Sequence, residues 1–295
     1  MTVLLLLAGY GTVLGTAAPR WLARARWVAR APRTAVVLWA GLWLGLAGAL
    51  AMTAHVLSEP GHLAGPTVHW LARDAEQTVE GPAGHWRALL LGAAVLGAAG
   101  AVVATGWLRA ARARARHRLV LDLVARQEAG AGWWTVPDER AAAWCVPGRG
   151  GRIVFSSGAV ALLDPAQRSA VLAHERAHLR GRHHLLSGAA GALARALPGL
   201  PLARAAAEQV ALLVEMAADD RALRQCAPRT LATALYTVAA GRAPGGALAA
   251  GEVGAVARVH RLLAAAPPLS APRRVGCWAL AGLLPALPVL LACGP

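Results

Sequence analysis

The sequence predicts a mainly helical protein in which four membrane-spanning helices carry a cytoplasmic α+β domain. Three observations predict it. Of 295 residues, 57% are apolar and 15% charged, against about 45–50% and about 25% for soluble domains. Four stretches, residues 1–19, 34–58, 88–108 and 275–295, hold no Asp, Glu or Arg, and about 20 apolar residues let a helix cross the hydrocarbon core. Between the third and fourth, the pattern changes to short strand-type runs and amphipathic helices.

The elements follow in chain order. The first stretch has no basic residue ahead of its apolar run, so it reads as an uncleaved anchor rather than a secretory signal. The next connection holds Arg20, Arg24, Arg26, Arg30 and Arg33 without an acid, and the segment after the third span holds Arg109, Arg112, Arg114, Arg116 and Arg118. Arginine marks the cytoplasmic side of a bilayer. The connection between the second and third spans instead carries Glu59, Asp74, Glu76 and Glu80 against Arg73 and Arg87, and Arg273 and Arg274 precede the last span. These agree on one topology in a bacterial cell membrane: N-terminus outside, residues 109–274 cytoplasmic, C-terminus outside. The domain plan is thus 1–108 with three spans, 109–274 as the cytoplasmic domain, and 275–295 as the fourth span.

All 30 basic residues are Arg. The absence of Lys excludes P-loop, kinase and Schiff-base chemistry, each of which needs a lysine. The net charge of +15 concentrates beside the spans, where anionic lipid attracts it, and no nucleic-acid partner is expected. Cys145 and Cys226 fall in the cytoplasmic domain without a C-x-x-C, and Cys277 and Cys293 sit at opposite ends of one span; none reads as a disulfide or zinc ligand. His55, His62, His69 and His85, near the external loop, read as scattered surface histidines.

Within the domain, residues 109–126 form a basic helix, and 133–136, 141–146 and 152–156 are strand-type runs. Pro147, Gly148, Arg149, Gly150 and Gly151 make a hairpin turn between the last two, so the sheet is expected to be small and antiparallel. Strand 152–156 is expected to offer its edge to an extended peptide. Asp164-Pro165-Ala166-Gln167 then opens a helix with an N-capping carboxylate, Pro in the first position and Gln three residues after the cap.

That helix carries His174-Glu175-Arg176-Ala177-His178. Residues four apart share a helix face, so both imidazoles can take adjacent corners of a zinc tetrahedron. Glu175 points close to the same place, where it can take a proton from a water activated by the metal. A third protein ligand is needed, and two residues compete. His184 completes H-E-x-x-H-x-x-G-x-x-H with Gly181 at the helix break and Met216 where a Met-turn would be sought, as in metzincins. Glu215 lies on a helix expected over 203–226, with Asp219 one turn on, where a carboxylate can hold a ligand imidazole. Residues 185–194 and 196–203 are apolar but too short and Pro-broken to span, and form either a hairpin at the membrane surface or a buried helical pair. Arg221, Arg224, Tyr236 and His260 lie downstream as possible carbonyl-polarising groups and are left out of the site.

The segment from Leu172 to His178, the preceding 152–164 and the later Glu215-Met216-Ala217-Ala218-Asp219 resemble the membrane zinc endopeptidases of the BlaR/MecR type, and more distantly HtpX-like and CAAX-processing membrane peptidases. The likeness covers about residues 115–235. It implies a zincin-like fold of the gluzincin kind, with Glu215 of E-x-x-A-D as third ligand beside His174 and His178, and Asp219 as the residue that orients an imidazole. BlaR/MecR receptors continue into an external penicillin-binding domain, whereas this sequence stops at Pro295, so β-lactam sensing through such a domain is not expected. The resemblance implies a zinc-dependent endopeptidase acting on cytoplasmic or juxtamembrane proteins, by repressor cleavage or self-cleavage. Two other functions fit: broad membrane quality control, and a noncatalytic zinc-stabilised receptor or scaffold.

Overall fold

A computed structural model describes residues 2–58, 83–148, 150–242, 250–264 and 267–293. The connection holding Glu59, His62, His69, Asp74, Glu76 and Glu80 lies outside the described residues, as does the side chain of His85. Helix α1 (Thr2–Thr12) passes through a π-helical turn, Val13–Ala17, into α2 (Ala18–Arg24). After a 3-10 turn at Val28–Arg30 come α3 (Pro32–Ser58) and α4 (Ala83–Val124). Four strands follow: β1 (Arg126–Gln127), β2 (Trp134–Val136), β3 (Ala143–Val146) and β4 (Arg152–Ser156). The remaining helices are α5 (Ser157–Leu162), α6 (Pro165–Gly181), α7 (His183–Ala196), α8 (Pro201–Ala222), α9 (Pro228–Arg242), α10 (Ala250–Leu263) and α11 (Ala271–Cys293). Among the described residues, four helical segments are long and apolar enough to cross a membrane: Thr2–Arg24, Pro32–Leu57, Gly92–Val124 and Ala271–Ala292. The protein is a multi-pass membrane protein.

The chain divides into two compact units. The first comprises Met1–Thr105, Ala190–Gln209 and Leu269–Pro295. Its main contact is between α3 and α11, and small residues allow it. A Cβ on Gly41 would lie 2.9 Å from the Ala281 carbonyl oxygen, and one on Gly45 3.1 Å from that of Leu284, so only glycine lets the two backbones approach this closely. Pro285 and Pro288 lie inside α11, and each removes the N–H that would serve the carbonyl four residues back, Ala281 and Leu284 respectively. Tyr10 Oη donates to the Leu284 carbonyl at 2.6 Å, supplying the missing hydrogen bond from a neighbouring helix. Leu5, Leu6, Leu44, Leu50 and Leu290 are exposed, as side chains in lipid contact must be.

The second unit comprises Gly106–Ala189 and Val210–Pro268. Its sheet has the order β1-β2-β4-β3. The β3–β4 hairpin forms at the glycine cluster, where Gly150 and Gly151 have positive φ. The sheet is mixed rather than antiparallel, because β2 pairs with β4 in parallel. The cause is the 137–142 connection, which does not turn back beside β2 but crosses the sheet end to place β3 on the far side of β4. Ser156 fastens it there, accepting from the Ala142 N–H at 2.8 Å and donating to the Arg140 carbonyl at 2.7 Å. The Gly158 N–H adds a bond to the Asp138 carbonyl at 2.9 Å. Strand β4 is therefore central and cannot offer its edge to a peptide, contrary to the sequence expectation; β3 is an edge strand.

Strand alternation sorts the core to two faces. Ala143, Ile153 and Phe155 join Ala159, Leu163, Val171, Leu172 and Ala234 under α6, with Cys145 packed alongside. Val146 and Val154 join Leu121 and Val136 on the other face. Helix α6 starts where the sequence places it: Asp164 accepts from the Gln167 N–H at 2.8 Å and Gln167 Oε1 from the Asp164 N–H at 3.1 Å. The apolar 185–203 stretch becomes most of α7 and the start of α8.

Candidate metal centre and active site

Helices α6 and α8 supply the three donors. On α6, His174 and His178 stand one turn apart with their Nε2 atoms 3.0 Å from one another. Helix α8 brings Glu215, whose Oε2 lies 3.3 Å from His174 Nε2 and whose Oε1 lies 3.3 Å from His178 Nε2. Two atoms bound at about 2.0–2.1 Å on neighbouring corners of a zinc tetrahedron are separated by about 3.3 Å. The donor triangle therefore has the dimensions of a zinc site, and its two imidazoles and one carboxylate are donor types zinc accepts. Glu175, on the same turn of α6, is half-buried, and burial together with the nearby Glu175 carboxylate raises the pKa of the Cys145 thiol on β3. One turn beyond Glu215, Asp219 is fully buried and its Oδ1 lies 3.0 Å from His174 Nδ1.

Residues 110–218 match peptidase family M48. The match covers rather more than a third of the chain and includes His174, Glu175, His178 and Glu215. No curated protein and no solved structure matches the chain. With the donor triangle, the match identifies an M48 zinc metallopeptidase domain, and the protein is a hydrolase. M48 is the HtpX-like side of the sequence resemblance.

The metzincin alternative does not assemble. Helix α6 does stop at Gly181, but His184 is not among the converging donors. Met216 is buried in the middle of α8, its carbonyl accepting from Arg261 at 3.4 Å, so there is no Met-turn at this position. Burial and the nearby Arg114 and Arg182 lower the His184 pKa.

Two further residues meet this cluster that the sequence reading did not single out. The first is Arg258 on α10, whose guanidinium forks onto Asp219, with Nε to Oδ2 at 2.8 Å and Nη2 to Oδ1 at 2.7 Å. Its Nη1 also reaches Glu215 Oε2 at 2.9 Å. Burial alone would push the Asp219 carboxyl up, but hydrogen bonds from Arg258 and His174 outweigh it and hold the carboxyl below its ordinary range. For His174, burial favours the neutral ring, yet hydrogen bonds to Asp219 and Glu215 raise its pKa to about 9. Glu215 is likewise driven well below the carboxylate range: burial opposes its charge, and both imidazoles and Arg258 outweigh burial. A signal for Arg258 did exist. It lies four residues before Leu262 on the buried stripe of α10, where an unpaired cation would be costly and so calls for a buried acid. The second is His183, whose Nδ1 lies 3.1 Å from His178 Nδ1. Tyr236, Arg224 and His260 are exposed.

Proposed function

We propose that this chain is an endopeptidase in which His174, His178 and Glu215 hold zinc, Glu175 is the general base and then the proton donor, and Asp219 orients the His174 imidazole. The observation that carries this reading is the set of donor separations of 3.0, 3.3 and 3.3 Å with Glu175 beside them. Zinc bound there supplies Lewis acidity, activating water and polarising the scissile carbonyl. The chain's own residues do the rest. Glu175 takes a proton from the attacking water and hands it to the departing amine. Cys145 on β3 lies within electrostatic reach of the Glu175 carboxylate. Burial and that carboxylate both raise the Cys145 pKa, so the thiol keeps its proton. Asp219, charged and clamped by Arg258, accepts from His174 Nδ1 and thereby directs Nε2 towards the metal. An extended substrate adds to the edge of β3, the strand that carries Cys145, and its main chain is held next to Glu175.

The arginine distribution supports a cytoplasmic peptidase domain over 109–274, external termini and a last span at 275–295. The likeness to BlaR/MecR-type peptidases supports limited cleavage of a regulatory protein, a repressor or the chain itself. Replacing Glu175 by Gln removes the base while leaving all three ligands, and lowers turnover by about 10²–10⁴-fold. The test compares new protein N-termini across the proteome of cells expressing wild type or Glu175→Gln at matched levels. One or a few termini lost in the variant support regulatory cleavage, and many support membrane quality control. Identical profiles under several envelope stresses would overturn proteolysis in favour of a zinc-stabilised scaffold.

A further inference from the structure

We propose that His183 is the positioning residue for His178, doing with a neutral imidazole what Asp219 does for His174 with a carboxylate. The proposal rests on the zinc reading above. A histidine that ligates through Nε2 carries its proton on Nδ1, which then needs an acceptor. For His174 the group facing Nδ1 is the Asp219 carboxylate, at 3.0 Å. For His178 the atom in that place is His183 Nδ1, at 3.1 Å, with the two rings edge to face at 83° and 4.9 Å between centroids. Since one Nδ1 donates, the other accepts, and the His183 proton sits on Nε2.

The chain is built to deliver this ring. On an unbroken helix, residue 183 would lie about 140° around the axis from residue 178, too far around to meet it. Helix α6 ends at Gly181, and Arg182 takes the left-handed conformation, φ 48° and ψ 37°. It is the single positive-φ residue other than glycine among the described residues, a conformation that costs a non-glycine residue about 1–2 kcal/mol. The reversal turns His183 back across the end of α6, where it is buried, with 8% of its surface exposed. Its ring occupies the volume that a Cβ on Gly181 would fill. The glycine, the left-handed arginine and the buried histidine, three separate oddities of Gly181-Arg182-His183, thus have one consequence: an acceptor at His178 Nδ1.

The experiment uses the full chain in detergent, loaded with zinc or with cobalt(II). The readouts are metal affinity by chelator competition and the cobalt d–d spectrum, which reports ligand geometry independently of activity. His183→Leu keeps bulk but removes the acceptor, and is expected to weaken zinc binding about 10–100-fold and alter the cobalt spectrum. His183→Asn, whose Oδ1 falls where Nδ1 stood, is expected to restore most of the affinity. Gly181→Ala pushes the ring off His178 without deleting it and is expected to weaken zinc as His183→Leu does, which covers the case where the leucine variant does not fold. The proposal is overturned if folded His183→Leu binds zinc within about twofold of wild type, or if the asparagine is as weak as the leucine. A wild type that takes up no zinc overturns the zinc reading itself and this proposal with it.

Discussion

In the span unit, the backbone carbonyls that Pro285 and Pro288 release on α11 are handled one at a time: that of Leu284 accepts from the Tyr10 hydroxyl, and that of Ala281 lies in the close approach that Gly41 permits. In the peptidase unit the buried polar groups are charged side chains met as a chain, in which Arg258 holds Asp219, Asp219 holds His174, and His174 faces Glu215. The first arrangement is local, so removing one member costs one hydrogen bond or one contact. The second is shared, and removing one member leaves the others buried with their charge uncompensated. A membrane helix can accept the small loss; a metal site depends on the shared one, because its ligands must be held in one tautomer and one orientation.

The largest effect is expected where the chain of charges is cut. Asp219→Ala strands both Arg258 and His174 in the interior and should cost about 3–5 kcal/mol of unfolding free energy and weaken zinc. The decisive comparison is a double-mutant cycle by denaturant titration: Arg258→Met with Asp219→Leu should be less destabilised than the sum of its singles. Additive losses would show that the two residues do not act as a unit. The pH response follows from the same pair. Hydrogen bonds from Arg258 and His174 hold the Asp219 carboxyl below its ordinary value of 3.8, so its contribution is fully present above that pH. It is lost as pH falls through the lower folded value, and unfolding followed from pH 7 into the acid range should show wild type, but not Asp219→Leu, losing this share.

Span-unit changes should be smaller. Gly41→Leu forces a side chain into the 2.9 Å approach to Ala281 and should cost about 1–3 kcal/mol, read as a lower unfolding temperature in detergent. Tyr10→Phe should cost only about 1 kcal/mol. That loss should nearly vanish on a Pro288→Ala background, because the restored N–H serves the Leu284 carbonyl from within the helix. Equal losses on both backgrounds would mean the hydroxyl matters for another reason.

The same division explains what could be read from the sequence. The spans announce themselves by composition over 20 or more residues, and the start of α6 by a capping box confined to Asp164–Gln167. Helical spacing alone puts His174 with His178, and Glu215 with Asp219, on one face each, whereas the choice of Glu215 over His184 came from the family resemblance. Partners separated by long stretches of chain are not legible in that way: Arg258 meets Asp219 across 39 residues. His183 depends on a left-handed residue that Arg182 gives no hint of adopting. The parallel pairing of β2 with β4 was missed because the 137–142 connection is held by Ser156, whose buried hydroxyl looks like any strand-end serine. The two-residue β1 is too short to carry an alternation.

The proposed zinc centre is made by His174, His178 and Glu215, with Glu175 beside it but outside the ligand set. The most direct measurement is zinc per chain in purified full-length protein for wild type, Glu175→Gln, Glu215→Ala and His184→Ala. Equal stoichiometric zinc is expected in wild type, Glu175→Gln and His184→Ala, and its loss in Glu215→Ala. Zinc retained in Glu215→Ala and lost in His184→Ala would contradict this ligand set.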